Sequence, residues 1–158
     1  MKNLHFLSWL VAILVPLALI GLGIRVLLSP VFLKLEYNMP YFPPDNYGFT
    51  KEDRLKLAPY ALEYLVNDAD VSYLGDLKFD DGTPLYNERE LSHMDDVKRV
   101  TKGALNAWYV SLALLGALGA WAWSGQWWQD YRLGLRRGGW LMVGLAVVIG
   151  VIVLVGIL

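Results

Sequence analysis

The sequence predicts an all-α membrane protein: three transmembrane helices, with a small, mainly helical extracytoplasmic segment between the first and the second. Three observations predict it. Of the 158 residues, 56% are hydrophobic, and the mean hydropathy is +0.38, which is too apolar for an ordinary soluble domain. Three long apolar runs stand out, at residues 4–29, 104–124 and 139–158, against the requirement of about 20 helical residues for a hydrocarbon core of roughly 30 Å. Most of the charge falls between the first two runs, where residues 30–103 hold nine basic and fourteen acidic side chains. The whole chain reads as a single membrane domain, residues 1–158.

Composition excludes several functions. A net charge of −1 gives no footing for nucleic-acid binding. The chain has no cysteine, so disulfides, thiol catalysis and cysteine-rich metal sites are ruled out. A lipid-modified cysteine on this chain is ruled out with them.

Residues 4–29 are longer than the core of a cleavable signal peptide and lack a small-x-small cleavage site. They read as a membrane helix that stays attached. Pro16 can kink it, and Gly21 and Gly23 allow close helix packing. Arg25 lies near its far end. Either it snorkels to the interface, or it faces the bundle interior and binds a lipid carbonyl or phosphate. In residues 30–48, Pro30, Pro40, Pro43 and Pro44 speak against helix. The expectation is an extended or looped segment along the membrane surface, with its Tyr and Phe side chains in the interfacial layer.

Residues 50–67 read as an amphipathic helix. Thr50 is the expected N-cap, Glu52 and Asp53 occupy the first turn, and Leu55, Ala58 and Leu65 belong to its apolar stripe. Pro59 predicts a kink or a split. Residues 68–86 read as turns and a short hairpin, with Asp81-Gly82 between Leu77-Lys78-Phe79 and Pro84-Leu85-Tyr86.

Asn87, with Glu90 three positions later, marks another helix start. From residue 88 no Gly or Pro intervenes before residue 103, so this helix runs into the second span, 104–124, and enters the bilayer near Ala104. A basic cytoplasmic loop, 125–138, carries Arg132, Arg136 and Arg137 before the third span, 139–158. Those arginines and Lys2 belong on the cytoplasmic side. The N-terminus is then cytoplasmic and residues 30–103 extracytoplasmic.

His5, at the cytoplasmic mouth of the first helix, is expected to be structural. His93 is the candidate for chemistry. It lies in the external part of its helix, with Glu90 and Asp96 one turn to either side. Those carboxylates could accept its N–H and fix its tautomer, which suits a general base. The competing reading is a solvated histidine on a charged helix face. No HExxH, no second nearby histidine, no phosphate loop and no GxSxG elbow is present. No metal and no cofactor is expected.

NERELSHMDDVKRV resembles the E-x-x-H-(M/L)-x-D-V-K signature of the Lit-type lipoprotein intramolecular transacylases, with Glu90, His93, Asp96 and Val97 on motif positions. GFTKEDRLKLAPYALEYL is similar to the same family's FT-x-E-x-R-L-x-L…YL pattern. The order of parts also agrees. The resemblance implies an acyltransferase acting within one substrate. It would move an acyl chain from the diacylglyceryl group of a lipoprotein's N-terminal cysteine to that cysteine's α-amine, leaving a lyso-form lipoprotein. It implies the plasma membrane of a bacterial cell, and a lipid-modified lipoprotein N-terminus and membrane lipid as partners. On this reading His93 is the catalytic base with Glu90 and Asp96 in support, and Arg25 and Tyr64 help to hold substrate. The resemblance also implies a second external segment with another histidine and a fourth membrane helix, so a chain ending at Leu158 is expected to be C-terminally truncated. The alternative is a non-enzymatic membrane protein whose external segment binds lipid or a protein.

Overall fold

The computed structural model describes residues 5–44, 46 and 48–157; Lys2 and Leu158 lie outside them. The fold is all-helical. Its elements are α1 (His5–Leu27), α2 (Pro30–Tyr37), α3 (Lys51–Val66), α4 (Ser72–Gly75), α5 (Glu88–Ser124) and α6 (Trp128–Ile157). Among the described residues, three helices are long and apolar enough to cross a membrane: α1, α5 and Trp128–Gly156 of α6. Their apolar side chains are largely uncovered; Val147, Val151, Ile152 and Val155 of α6 are all more than half exposed. Such a surface is stable against lipid and not against water.

The chain divides into two compact units, residues 1–22 with 106–158, and residues 23–105. In the first, Leu7 and Val11 of α1, Ala122 of α5, and Trp127 and Tyr131 form the core. The Tyr131 hydroxyl donates to the Leu115 carbonyl at 3.0 Å, which ties α6 to α5. Glycine sets the closest approach of α1 and α6. A Cβ on Gly134 would lie 2.6 Å from the Ser8 carbonyl oxygen, and one on Gly138 would lie 2.4 Å from Val15 Cβ. Gly134 and Gly138 face Ser8 and Ala12, so both helices present small residues four apart, as closely packed membrane helices do. Gly21 is likewise closed in by the Trp108 ring, while Gly23 meets nothing. The expected close packing therefore holds at Gly21 only. His5 Nδ1 sits 2.9 Å from Asp130 Oδ1, and Arg137 Nη1 donates to Ser8 Oγ at 2.8 Å.

The α5–α6 connection corrects the sequence expectation. Only Gly125, Gln126 and Trp127 are non-helical, so Arg132, Arg136 and Arg137 belong to the helix and not to a loop. The turn is tight because Gln126 takes φ 58° and Trp127 N–H bonds the Ala122 carbonyl at 3.2 Å. That is a left-handed helix cap with glutamine where glycine is usual.

In the second unit, the stretch expected to be extended begins with helix α2. Ser29 is its N-cap and accepts from the Phe32 N–H, and Pro30 occupies the first turn. A proline there costs no hydrogen bond, and its fixed φ suits a helix start. α3 begins with a reciprocal capping box between Thr50 and Asp53 and runs through Pro59 as one helix. The hairpin reduces to a single antiparallel bridge, Lys78 with Pro84, around Gly82 at φ 84°.

Candidate functional site

α5 positions His93. Its first turn is fixed by a second reciprocal box: Glu90 N–H donates to Asn87 Oδ1 at 3.0 Å, and Asn87 N–H donates to Glu90 Oε2 at 2.9 Å. One turn later His93 stands exposed. It borders an open pocket of about 590 Å³ with Tyr86, Asn87, Arg89, Glu90 and Met94. Among the described residues its imidazole has no hydrogen bond or ion pair, so neither expected carboxylate holds it. Glu90 is committed through one oxygen to the helix start and keeps Oε1 without a protein partner among those residues. Asp96 is turned to Arg99, at 2.5 Å, and Asp95 Oδ2 lies 3.3 Å from the same guanidinium. These are exposed pairs that contribute little to stability.

The other two nominated residues stand elsewhere. Arg25 Nη1 donates to the Leu28 carbonyl at 3.2 Å at the C-terminal end of α1, and the contact is exposed. Tyr64 is wholly enclosed. Lys98, from the same stripe of α5 as Leu91, Met94 and Leu105, lays its Nζ over the Tyr64 ring at 3.8 Å. That ammonium also donates to Asn67 Oδ1 at 3.2 Å and to the Ala69 carbonyl. Tyr73 stacks on Tyr64 at 6.4 Å and donates its hydroxyl to Glu63. Lys102 pairs with Asp68 nearby. A buried cation so placed locks the rotation of α5 against α3 and the 67–70 turn, and so fixes where His93 points. The Tyr64 hydroxyl is buried with no hydrogen-bond partner among the described residues. Burial, and then the nearby Asp95 carboxylate, hold its pKa above the ordinary tyrosine value.

Lys98 and Arg54 stand on the K and R of the two motifs that the sequence resembles, but neither is among the nominated site residues. Lys98 has a signal in retrospect: it falls on the apolar side of an otherwise solvated helix. Among the described residues no cluster of three metal-ligating side chains occurs. Among the described residues, what the site offers is an imidazole and a carboxylate oxygen without partners, both on side chains that line one open pocket.

The profile of a family described as "Lipoprotein intramolecular transacylase Lit" matches residues 9–158. An uncharacterized protein of Aquifex aeolicus (strain VF5) is 34% identical over 93 residues, 59% of this chain and 43% of that protein. The match thus spans less than half the length of that curated relative. No solved structure matches.

Proposed function

Because this multi-pass membrane protein belongs to the Lit family of lipoprotein intramolecular transacylases, we propose that it moves an acyl chain from the glyceryl group to the α-amine of a lipoprotein's N-terminal cysteine. The observation that carries the reading is the unpartnered His93 imidazole at the open pocket, on a helix start that holds it in place. An α-amine, with a pKa of about 7.7–8, is mostly protonated and not nucleophilic at pH 7, so it first releases one proton to solvent. His93 then takes a second proton from the neutral amine as its nitrogen attacks the ester carbonyl. The new N–C bond forms, the glycerol C–O bond breaks, and the imidazolium returns its proton to the departing alkoxide. Amine and ester lie on one molecule, so positioning supplies much of the rate. Water and a covalent acyl-enzyme are not required.

Glu90 Oε1 attracts the substrate's ammonium group to the pocket. Asp96, held by Arg99, adds only its charge. Arg25, exposed at the end of α1, meets the carbonyl or phosphate layer of the lipid. Tyr64 acts through Lys98 and not by touching substrate. Residues 30–103 face outward, with Lys2, Arg132, Arg136 and Arg137 on the cytoplasmic side, as basic residues near membrane helices prefer.

Expression of the intact gene in bacteria, followed by mass spectrometry of lipoprotein N-termini, tests this. The wild-type protein is expected to produce N-acyl, lyso-form termini and His93→Ala to leave diacylglyceryl termini. Diacylglyceryl termini with free α-amines in both strains would refute it.

A further inference from the structure

A second cavity, of about 460 Å³, adjoins the His93 pocket. Tyr86 and Glu90 line both. Its walls are apolar and aromatic, with Leu57, Ala58 and Phe79 among them, and its one cation is Arg54. That side chain is only partly satisfied. Nη1 donates to the Pro43 carbonyl at 3.2 Å, and the guanidinium lies 4.9 Å from the Phe42 ring centre and 5.5 Å from that of Tyr37. Nε is buried and has no hydrogen-bond partner among the described residues. Nε itself is sealed off, but Nη2 is neither buried nor hydrogen-bonded among the described residues, so an acceptor entering the cavity can take its N–H.

We infer that this cavity is the acyl-ester subsite of the proposed reaction, in which the Arg54 guanidinium donates through Nη2 to an ester carbonyl of the diacylglyceryl group and the acyl chain lies against Leu57, Ala58 and Phe79. The inference rests on the transacylase reading. An ester suits the surroundings better than an anion does. It supplies a carbonyl acceptor without bringing net charge among apolar walls, and the Glu90 carboxylate on the rim repels anions. The same carboxylate complements an ammonium. A molecule with an amine and an ester a few bonds apart spans the two cavities, its amine toward Glu90 and His93 and its carbonyl toward Arg54.

The test is binding of synthetic lipopeptides to the full-length protein in nanodiscs, in a His93→Ala background so that nothing turns over. The probes are a dipalmitoyl diester cysteine peptide and its dialkyl ether counterpart, which lacks both carbonyls. The diester is expected to bind about tenfold tighter, the effect of one hydrogen bond from a charged donor. Arg54→Lys keeps a cation over the rings and loses the planar guanidinium with its outer N–H groups, and is expected to erase that preference. Leu85→Trp narrows the cavity from a wall outside α3; it should weaken the dipalmitoyl peptide about tenfold and spare a dibutyryl one. Equal affinity for diester and ether, a preference that survives Arg54→Lys, or competition by inorganic phosphate would each overturn the inference. Turnover in cells without any ester preference would remove this subsite and leave the reaction standing. Ester preference without turnover would leave the subsite and remove the reaction.

Discussion

Gly138→Ala should separate α1 from α6. The added methyl would lie 2.4 Å from Val15 Cβ and 2.8 Å from the Ala12 carbonyl oxygen, whereas unstrained carbon contacts lie at about 3.5–4.0 Å. One neighbour is backbone and the other is the branch point of a stiff side chain, so neither can swing aside. The helices must part by about 1 Å, and overpacking of this kind costs about 1–3 kcal/mol. For a chain of this length that corresponds to a fall in Tm of about 3–10 °C. The tryptophans at the α5–α6 turn and Trp9 beside Arg137 make intrinsic fluorescence a direct readout in detergent. Gly144→Ala is the matched control, because a Cβ there meets nothing within 4 Å, and it should leave Tm unchanged or slightly higher. Equal Tm values for the two variants would refute the close approach of α1 and α6 at Gly138.

Tyr64→Phe keeps the ring beneath the Lys98 ammonium and removes a buried hydroxyl that has no partner among the described residues. Stability should hold or rise by about 1 kcal/mol, while Tyr64→Leu should lose about 2 kcal/mol; chemical denaturation of the two variants checks the order, and a costly Phe substitution would contradict it. Asp53, Asp68, Asp70 and Asp81 are each held below the ordinary carboxylate range, respectively by Thr50, Lys102, Ser72 and Thr83. A depressed carboxylate contributes stability that is complete above its unfolded pKa of about 4 and is lost as pH falls through the lower folded value. The helicity of the 23–105 unit should therefore survive to pH 5 and weaken on acidification below about 4, and Asp53→Asn should blunt that response in circular dichroism. Helicity that falls off near neutral pH would contradict the assignment.

The helix starts at Thr50 and Asn87 and the turn at Asp81-Gly82 were legible because each is a local pattern with one dominant geometry. The three apolar runs were legible for the same reason. α2 was missed although Ser29 and Pro30 are a helix-start pair; the prolines further on outweighed the one that begins a helix. The start of α6 was misjudged because arginines and glycines suggested a loop, yet Gly134 and Gly138 are where α1 comes closest. At the candidate site, His93 and Glu90 follow from local spacing. The partners of Lys98, 29 and 31 residues earlier in the chain, and the stranded Nε of Arg54 depend on tertiary placement, which spacing does not encode.

The unbroken run of α5 has a mechanical consequence. At about 1.5 Å per residue, the imidazole stands about 16 Å along the rod from Ala104, where the sequence puts the edge of the hydrocarbon. The headgroup layer is only about 5–8 Å deep on each side, so an upright rod would carry the base beyond it. For the proposed reaction, a lipid-anchored substrate would then have to be hoisted partly out of its leaflet, and its tails would need somewhere dry to wait. The distance is set by a stiff ruler, so thicker or thinner bilayers should change how far each substrate must climb.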